Sequence, residues 1–184
     1  MALQATVHRI VIDLSDVDRG VYEKLDLRVA RHPSESARWL ALRTLAYALS
    51  YEEGIAFSKG GLSSTDEAPI SVRDATGRLL AHLDIGAPSA ERLHRAAKSC
   101  ERVVVFTELD PERLRKEARA RGSVHRAEEI EIVVVPAALV DAIERHLERH
   151  LELGLSRNDG VVYLTVGKET VEGTLETVKL EPPV

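Results

Sequence analysis

The sequence is poor in the features that staple a small protein or anchor it in a membrane. Cys100 is its only cysteine, so no intrachain disulfide or cysteine-based metal cluster can form, which suits a reducing compartment. Aromatic residues make up only 4% of the chain, so its core must be built mainly from aliphatic side chains. No run approaches the ~18 apolar residues that would cross a bilayer. Met1 to Val11 has neither the basic start nor the continuous apolar stretch of a signal peptide. The expectation is a cytoplasmic protein with no membrane attachment. The phosphate-binding loop, the dinucleotide-type glycine fingerprint and the zincin motif are also missing. Gly60-Gly61 does not run on into Gly-Lys-Ser or Gly-Lys-Thr, and no organic cofactor is expected. Excess basic charge is absent too. A formal charge of -5 argues against broad attraction to nucleic acid or anionic lipid. A local basic groove remains compatible with it, because phosphate binding depends on where the cations sit.

What is present fits one domain spanning residues 1–184, with 44% hydrophobic residues available for a core. Thr6 to Leu14 reads as a strand, Asp16 to Gly20 as a turn and Lys24 to Ala30 as a second, alternating strand, together an opening hairpin. Arg31-His32-Pro33-Ser34-Glu35 predicts a helix start, with Pro33 in the first turn. The helix should run to about Ser50, with Trp39, Leu42, Ala46 and Leu49 as its buried stripe and Glu35 on the same line. A polar loop from Gly60 to Ala68 precedes two short strands, Ile70 to Arg73 and Leu79 to Ile85. The second of these is followed by a helix capped by Ser89 and reaching about Ser99. Arg102 to Thr107 is a continuous apolar strand of the central kind. A charged helix from Pro111 to Arg121, a strand from Glu129 to Val135 and a helix opened by Pro136 follow. After a turn at Arg157 to Gly160, Val161 to Val166 and a looser alternation from Thr170 to Leu180 suggest an antiparallel annex that pairs with the opening strands. The class is α/β, with mixed or parallel pairing in the centre.

The best local constellation for chemistry is Asp84 with the helix that follows it. Asp84 falls near a strand end, and His94, Arg95 and Lys98 give that helix a basic side. Carboxylates beside a cation are what a nuclease using Mg²⁺ or Mn²⁺ requires, because the metal needs oxygen ligands and the scissile phosphate needs charge stabilisation. Asp84, Glu35 and Lys98 supply those groups if they converge. The same residues also fit an ordinary solvated strand end and a charged helix face, and spacing leaves both readings open. Arg31 and His32 are placed to orient Glu35 or to touch phosphate. His32, His82 and His94 do not have the spacing of a known metal motif. Among the arginines and lysine from Arg113 to Arg121, Glu112 and Glu117 dilute any basic patch.

Several of these segments together resemble the YaeQ family: Arg31 to Glu35, Asp66-Glu67 before a short strand, Asp84-Ile85-Gly86 followed by Pro88 through Lys98, the Asp16 to Gly20 turn and the closing antiparallel region. The resemblance implies a variant of the PD-(D/E)XK nuclease-like fold: a restriction-endonuclease-like mixed sheet flanked by helices, with the annex added. It implies a catalytic set of Glu35, Asp84, Lys98 and Arg95, with Arg31, His32 and His94 toward substrate. It also implies a metal site made by Glu35, Asp84 and either Asp66 or Glu67. Two positions depart from the pattern. Gly86 stands where the lysine belongs, so that Lys98, or after it Arg95, must substitute, and no clear acid stands on the first strand. The expectation is therefore a noncatalytic nuclease-like domain that binds a protein or nucleic-acid partner, with a link to transcription suggested for the family. The alternatives are a Mg²⁺- or Mn²⁺-dependent phosphodiesterase and an unrelated small-molecule enzyme.

Overall fold

The computed structural model describes residues 5–59 and 67–181. The chain runs β1 (Thr6–Asp16), β2 (Val21–Arg31), α1 (Ala37–Leu49), β3 (Ile55–Phe57), β4 (Ile70–Arg73), β5 (Leu79–Ile85), α2 (Ala90–Ser99) and β6 (Arg102–Thr107). It continues through α3 (Pro111–Arg121), β7 (Glu131–Val134), α4 (Ala137–Arg145), β8 (His150–Asn158), β9 (Val161–Val166), β10 (Glu169–Thr174) and β11 (Glu176–Lys179). Two mixed sheets result. One has the order β10-β9-β8-β1-β2 and the other β11-β7-β6-β5-β4-β3.

The layers follow from which faces are apolar. Ile10, Ile12 and Leu14 of β1 share one cluster with Leu151, Leu153 and Leu155 of β8, with the buried side of α1, with Leu139 and Ile143 of α4, and with Leu83 and Phe106 of the second sheet. Helices α1 and α4 thus fill the layer between the sheets. A second cluster joins Leu93 of α2 and Leu114 of α3 to Val103, Val105 and Ile132 on the outer face of the second sheet. Strand β6 pairs in parallel with both β5 and β7, and its apolar run is buried on both faces, as its sequence predicts.

Three expectations are corrected. First, α1 begins after the Pro33 turn, where Ser36 Oγ accepts the Trp39 N–H at 3.0 Å. Ser36 is the better cap because its hydroxyl satisfies an amide that Pro33 leaves open. Glu35 therefore precedes the helix. From Leu40 to Leu49 every residue of α1 is buried, because it has a sheet on each side; a single apolar stripe was too narrow an expectation. Second, the segment after α4 forms β8, which lies parallel to β1 with Ile10 opposite Leu151 and Leu14 opposite Leu155. The annex is accordingly a mixed sheet. Third, β11 leaves it and pairs antiparallel with β7 in the other sheet.

Charged contacts tie these layers. Arg38, in the first turn of α1, donates to Asp141 Oδ1 at 2.6 Å, to Glu108, and to Glu144 Oε2 at 3.0 Å. The hydrogen bonds it donates to Asp141 and Glu108 hold its guanidinium well above its ordinary value. Asp16, fully buried at the end of β1, accepts from Arg19 Nε at 2.7 Å.

Candidate functional site

Asp84 points from β5 toward the α2 side of the sheet, the same side as His82, while Leu83 and Ile85 point toward α1. Its side chain is 3% exposed. Arg92 Nε donates to Oδ1 at 2.7 Å and His82 Nε2 donates to Oδ2 at 2.8 Å. Helix α2 starts directly after β5 because Gly86, at φ +82°, reverses the chain, and its N–H meets the Phe106 carbonyl at 2.8 Å. Ser89 Oγ then accepts the Arg92 N–H at 3.2 Å. Arg92 consequently lies in the first turn of α2, beside the strand end.

The same guanidinium reaches across the loop, where Arg92 Nη2 donates to the Glu67 carbonyl at 2.8 Å. Arg43, buried on α1, holds the other side of that segment. It donates from Nη2 to the Pro69 carbonyl at 3.2 Å and to the Ser58 carbonyl at 3.3 Å. Its guanidinium stacks over Phe57 at 4.8 Å and Trp39 at 5.3 Å. Burial lowers the Arg43 pKa, against the opposing charges of Glu35 and Glu67. Two arginines from different helices therefore grip the chain on either side of residues 60–66, and the acids Glu35, Glu67 and Asp84 are arranged around them.

The residues expected to form one centre are only partly brought together. Glu35 is buried in the turn before α1; its Oε2 accepts the His32 N–H at 3.1 Å, and Arg31 Nε donates to its carbonyl at 2.9 Å. Arg31 and His32 thus tie the turn that carries Glu35. Glu67 reaches Arg92 through its backbone, and Asp66 lies outside the described residues. Arg95 is exposed on α2. Lys98 stands near the far end of α2, about 9 Å along the axis from Arg92, and lines a different pocket with Cys100 and His125. His94 also turns toward that end, its Nδ1 accepting the His125 N–H at 3.2 Å. The structure does not bring Lys98 or His94 to Asp84. The groups that reach Asp84 are Arg92 and His82. A readable signal for Arg92 was its position: the first turn of a helix entered straight from a strand lies nearest that strand's end.

Metal fit follows from these contacts. Both oxygens of Asp84 are taken by a guanidinium and an imidazole, and Glu35 Oε2 by an amide. Among the described residues no three His, Cys, Asp or Glu side chains are grouped as ligands. As arranged, these acids do not fit a divalent cation.

The His94 imidazole is held below its ordinary value of 6.5, first by burial and then by the charges of Arg121 and Lys98. A lowered histidine binds fewer protons folded than unfolded, so its stabilising contribution is present above the unfolded value and lost as pH falls below it. His94→Gln is expected to flatten the pH dependence of Tm from about pH 7 to about pH 5, as thermal melts across that range would show.

Two mixed sheets, four helices among the described residues and a buried acid locked between a strand histidine and a helix arginine define a mixed α/β protein. The YaeQ protein family model matches residues 1–175, and the chain belongs to that family. It is 24% identical over 180 residues to uncharacterized protein YaeQ of Escherichia coli K12, covering 95% of this chain and 96% of that one. It is 32% identical over 106 residues to the Salmonella typhi protein of the same name, covering 58% of each. Among solved structures, the YaeQ protein from Pseudomonas syringae superposes with a TM-score of 0.84 at 27% identity, covering 95% of this chain and 96% of that chain. That from Xanthomonas axonopodis pv. citri gives 0.82 at 28% identity, covering 97% and 99%. No helix among the described residues is long and apolar enough to cross a membrane.

Proposed function

We propose that the protein is a noncatalytic nuclease-like domain that binds a protein or nucleic-acid partner, with the transcription link suggested for its family as the setting. One observation carries the noncatalytic part: Asp84, the acid on which a PD-(D/E)XK centre would depend, has both oxygens engaged by Arg92 and His82 at 2.7 and 2.8 Å. An arginine there neutralises the carboxylate and occupies the direction from which a cation would approach. Binding remains open to such a site, because Arg92 and Arg43 hold a loop base that faces solvent at Glu67.

The test is a calorimetric titration of Mn²⁺ into wild type and Asp84→Asn, followed by cleavage assays on single-stranded DNA, duplex DNA and RNA. The expected result is no saturable Mn²⁺ binding and no metal-dependent cleavage by wild type. Saturable binding that disappears in a folded Asp84→Asn protein, with cleavage that disappears alongside it, would refute the proposal. It would favour the second reading, a Mg²⁺- or Mn²⁺-dependent phosphodiesterase. What supports that second reading is the meeting of the Glu67 backbone and Asp84 on one guanidinium, which brings Glu67 to the end of β5.

A further inference from the structure

A second pocket, of about 300 Å³, opens at the other end of α2 and is lined by Arg78, Lys98, Cys100, Glu101, His125 and Arg126 among others. It is built where the entry to β5, the last turn of α2 and the turn after α3 meet. In a chain whose formal charge is -5, this concentration of cations stands out. The bland account is that they answer the partial negative charge of the α2 carbonyl end. Part of the set is committed to acidic and carbonyl partners just beyond α2. Arg78 lies 3.5 Å from Glu101, and Arg126 donates to the Glu101 carbonyl at 3.2 Å and to Glu129 Oε2 at 2.9 Å. Lys98 is not committed: among the described residues it has no ion-pair or hydrogen-bond partner, and it lines the pocket.

Two further observations point the same way. Arg126 has φ +52°, a left-handed conformation that strains a residue with a side chain and recurs where a ligand must be met. The His94 and His125 rings stand edge to face, 6.4 Å apart. Arg121 and Lys98 act on the neighbouring His94 as positive charges, with Glu91 opposing them.

We infer that this pocket binds the phosphate group of a small phosphorylated molecule, with Lys98 as the charged donor and Arg126 and His125 beside it. The site is independent of the Asp84 cluster and does not rest on the function proposed above. Lys98, expected from sequence to serve a nuclease centre, then serves an anion at the opposite end of the same helix.

Inorganic pyrophosphate is the probe, titrated calorimetrically at low ionic strength while the His125 ring resonances are followed by NMR. Wild type is expected to bind one equivalent and shift His125. Lys98→Ala is expected to bind about tenfold more weakly. Arg126→Gly relaxes the strained backbone, keeps the fold and weakens binding. Lys168→Ala, which removes an exposed lysine in the β9–β10 turn, is expected to bind like wild type. Absence of saturable binding by wild type, unchanged binding by Lys98→Ala, or an equal loss in Lys168→Ala overturns the inference. A short oligonucleotide that displaces nothing from wild type supports the small-molecule assignment. One that binds through Lys98 where pyrophosphate does not refutes it.

Discussion

Arg43→Ala is expected to lower the unfolding free energy by about 4 kcal/mol, measured by urea denaturation. Arg43 is among the largest side chains that are fully buried. Its removal leaves the Ser58 carbonyl without this donor and the Pro69 carbonyl with the Ser58 N–H alone. It also strips the cationic partner from the faces of Phe57 and Trp39 and opens a void. Burying a guanidinium is itself costly, as the lowered pKa records. Arg43→Met, which refills the space without a charge, should therefore lose only about 2 kcal/mol, from the lost hydrogen bonds to the two carbonyls and the lost stacking. Equal losses in the two variants would show that volume and desolvation are irrelevant and that only the donor matters.

The next largest loss is expected at Asp84. Asp84→Ala removes the carboxylate from the His82 imidazole, 6% exposed, and from Nε of the Arg92 guanidinium, 18% exposed, which keeps the Glu67 carbonyl. The expected cost is about 3 kcal/mol, reduced from the fully buried case because Arg92 touches solvent. Asp84→Asn keeps an acceptor of the same shape and should cost about half as much. A double-mutant cycle with Arg92→Ala separates the pair from its surroundings: a coupling close to zero would mean that Arg92 holds the Glu67 carbonyl alone.

The alternation of β5 was plain from Leu79 to Ile85, and with it the placing of Asp84 and His82 on one face. Ser89 as a cap and the doubly buried β6 were equally legible, because each rests on local chemistry. The partner of Asp84 was not, since choosing between Arg92 and Lys98 requires knowing which end of α2 meets the strand. Strand β8 was hidden by its start. Leu147 and Leu151 continue the spacing of Ile143, so the helix that Pro136 opens seemed to run on; only Leu151, Leu153 and Leu155 betray the change of period. The crowding of α1 on all sides and the grip of Arg43 on the Ser58–Pro69 segment are tertiary facts with no local signature.

The parallel seam between β1 and β8 has a bearing on how the chain comes to be folded. His8 Nδ1 meets the Glu148 carbonyl at 2.8 Å across 140 positions of sequence. A parallel partner cannot arrive through a tight turn, so the edge of β1 that faces β8 waits for about 140 residues of intervening chain before its backbone is paired. On the ribosome, β1, β2 and α1 emerge well before β8, leaving that edge of β1 unpaired through the synthesis of everything between them. The charges along β2, from Glu23 and Lys24 through Asp26 and Arg28, guard its free edge against pairing with another nascent chain during that interval.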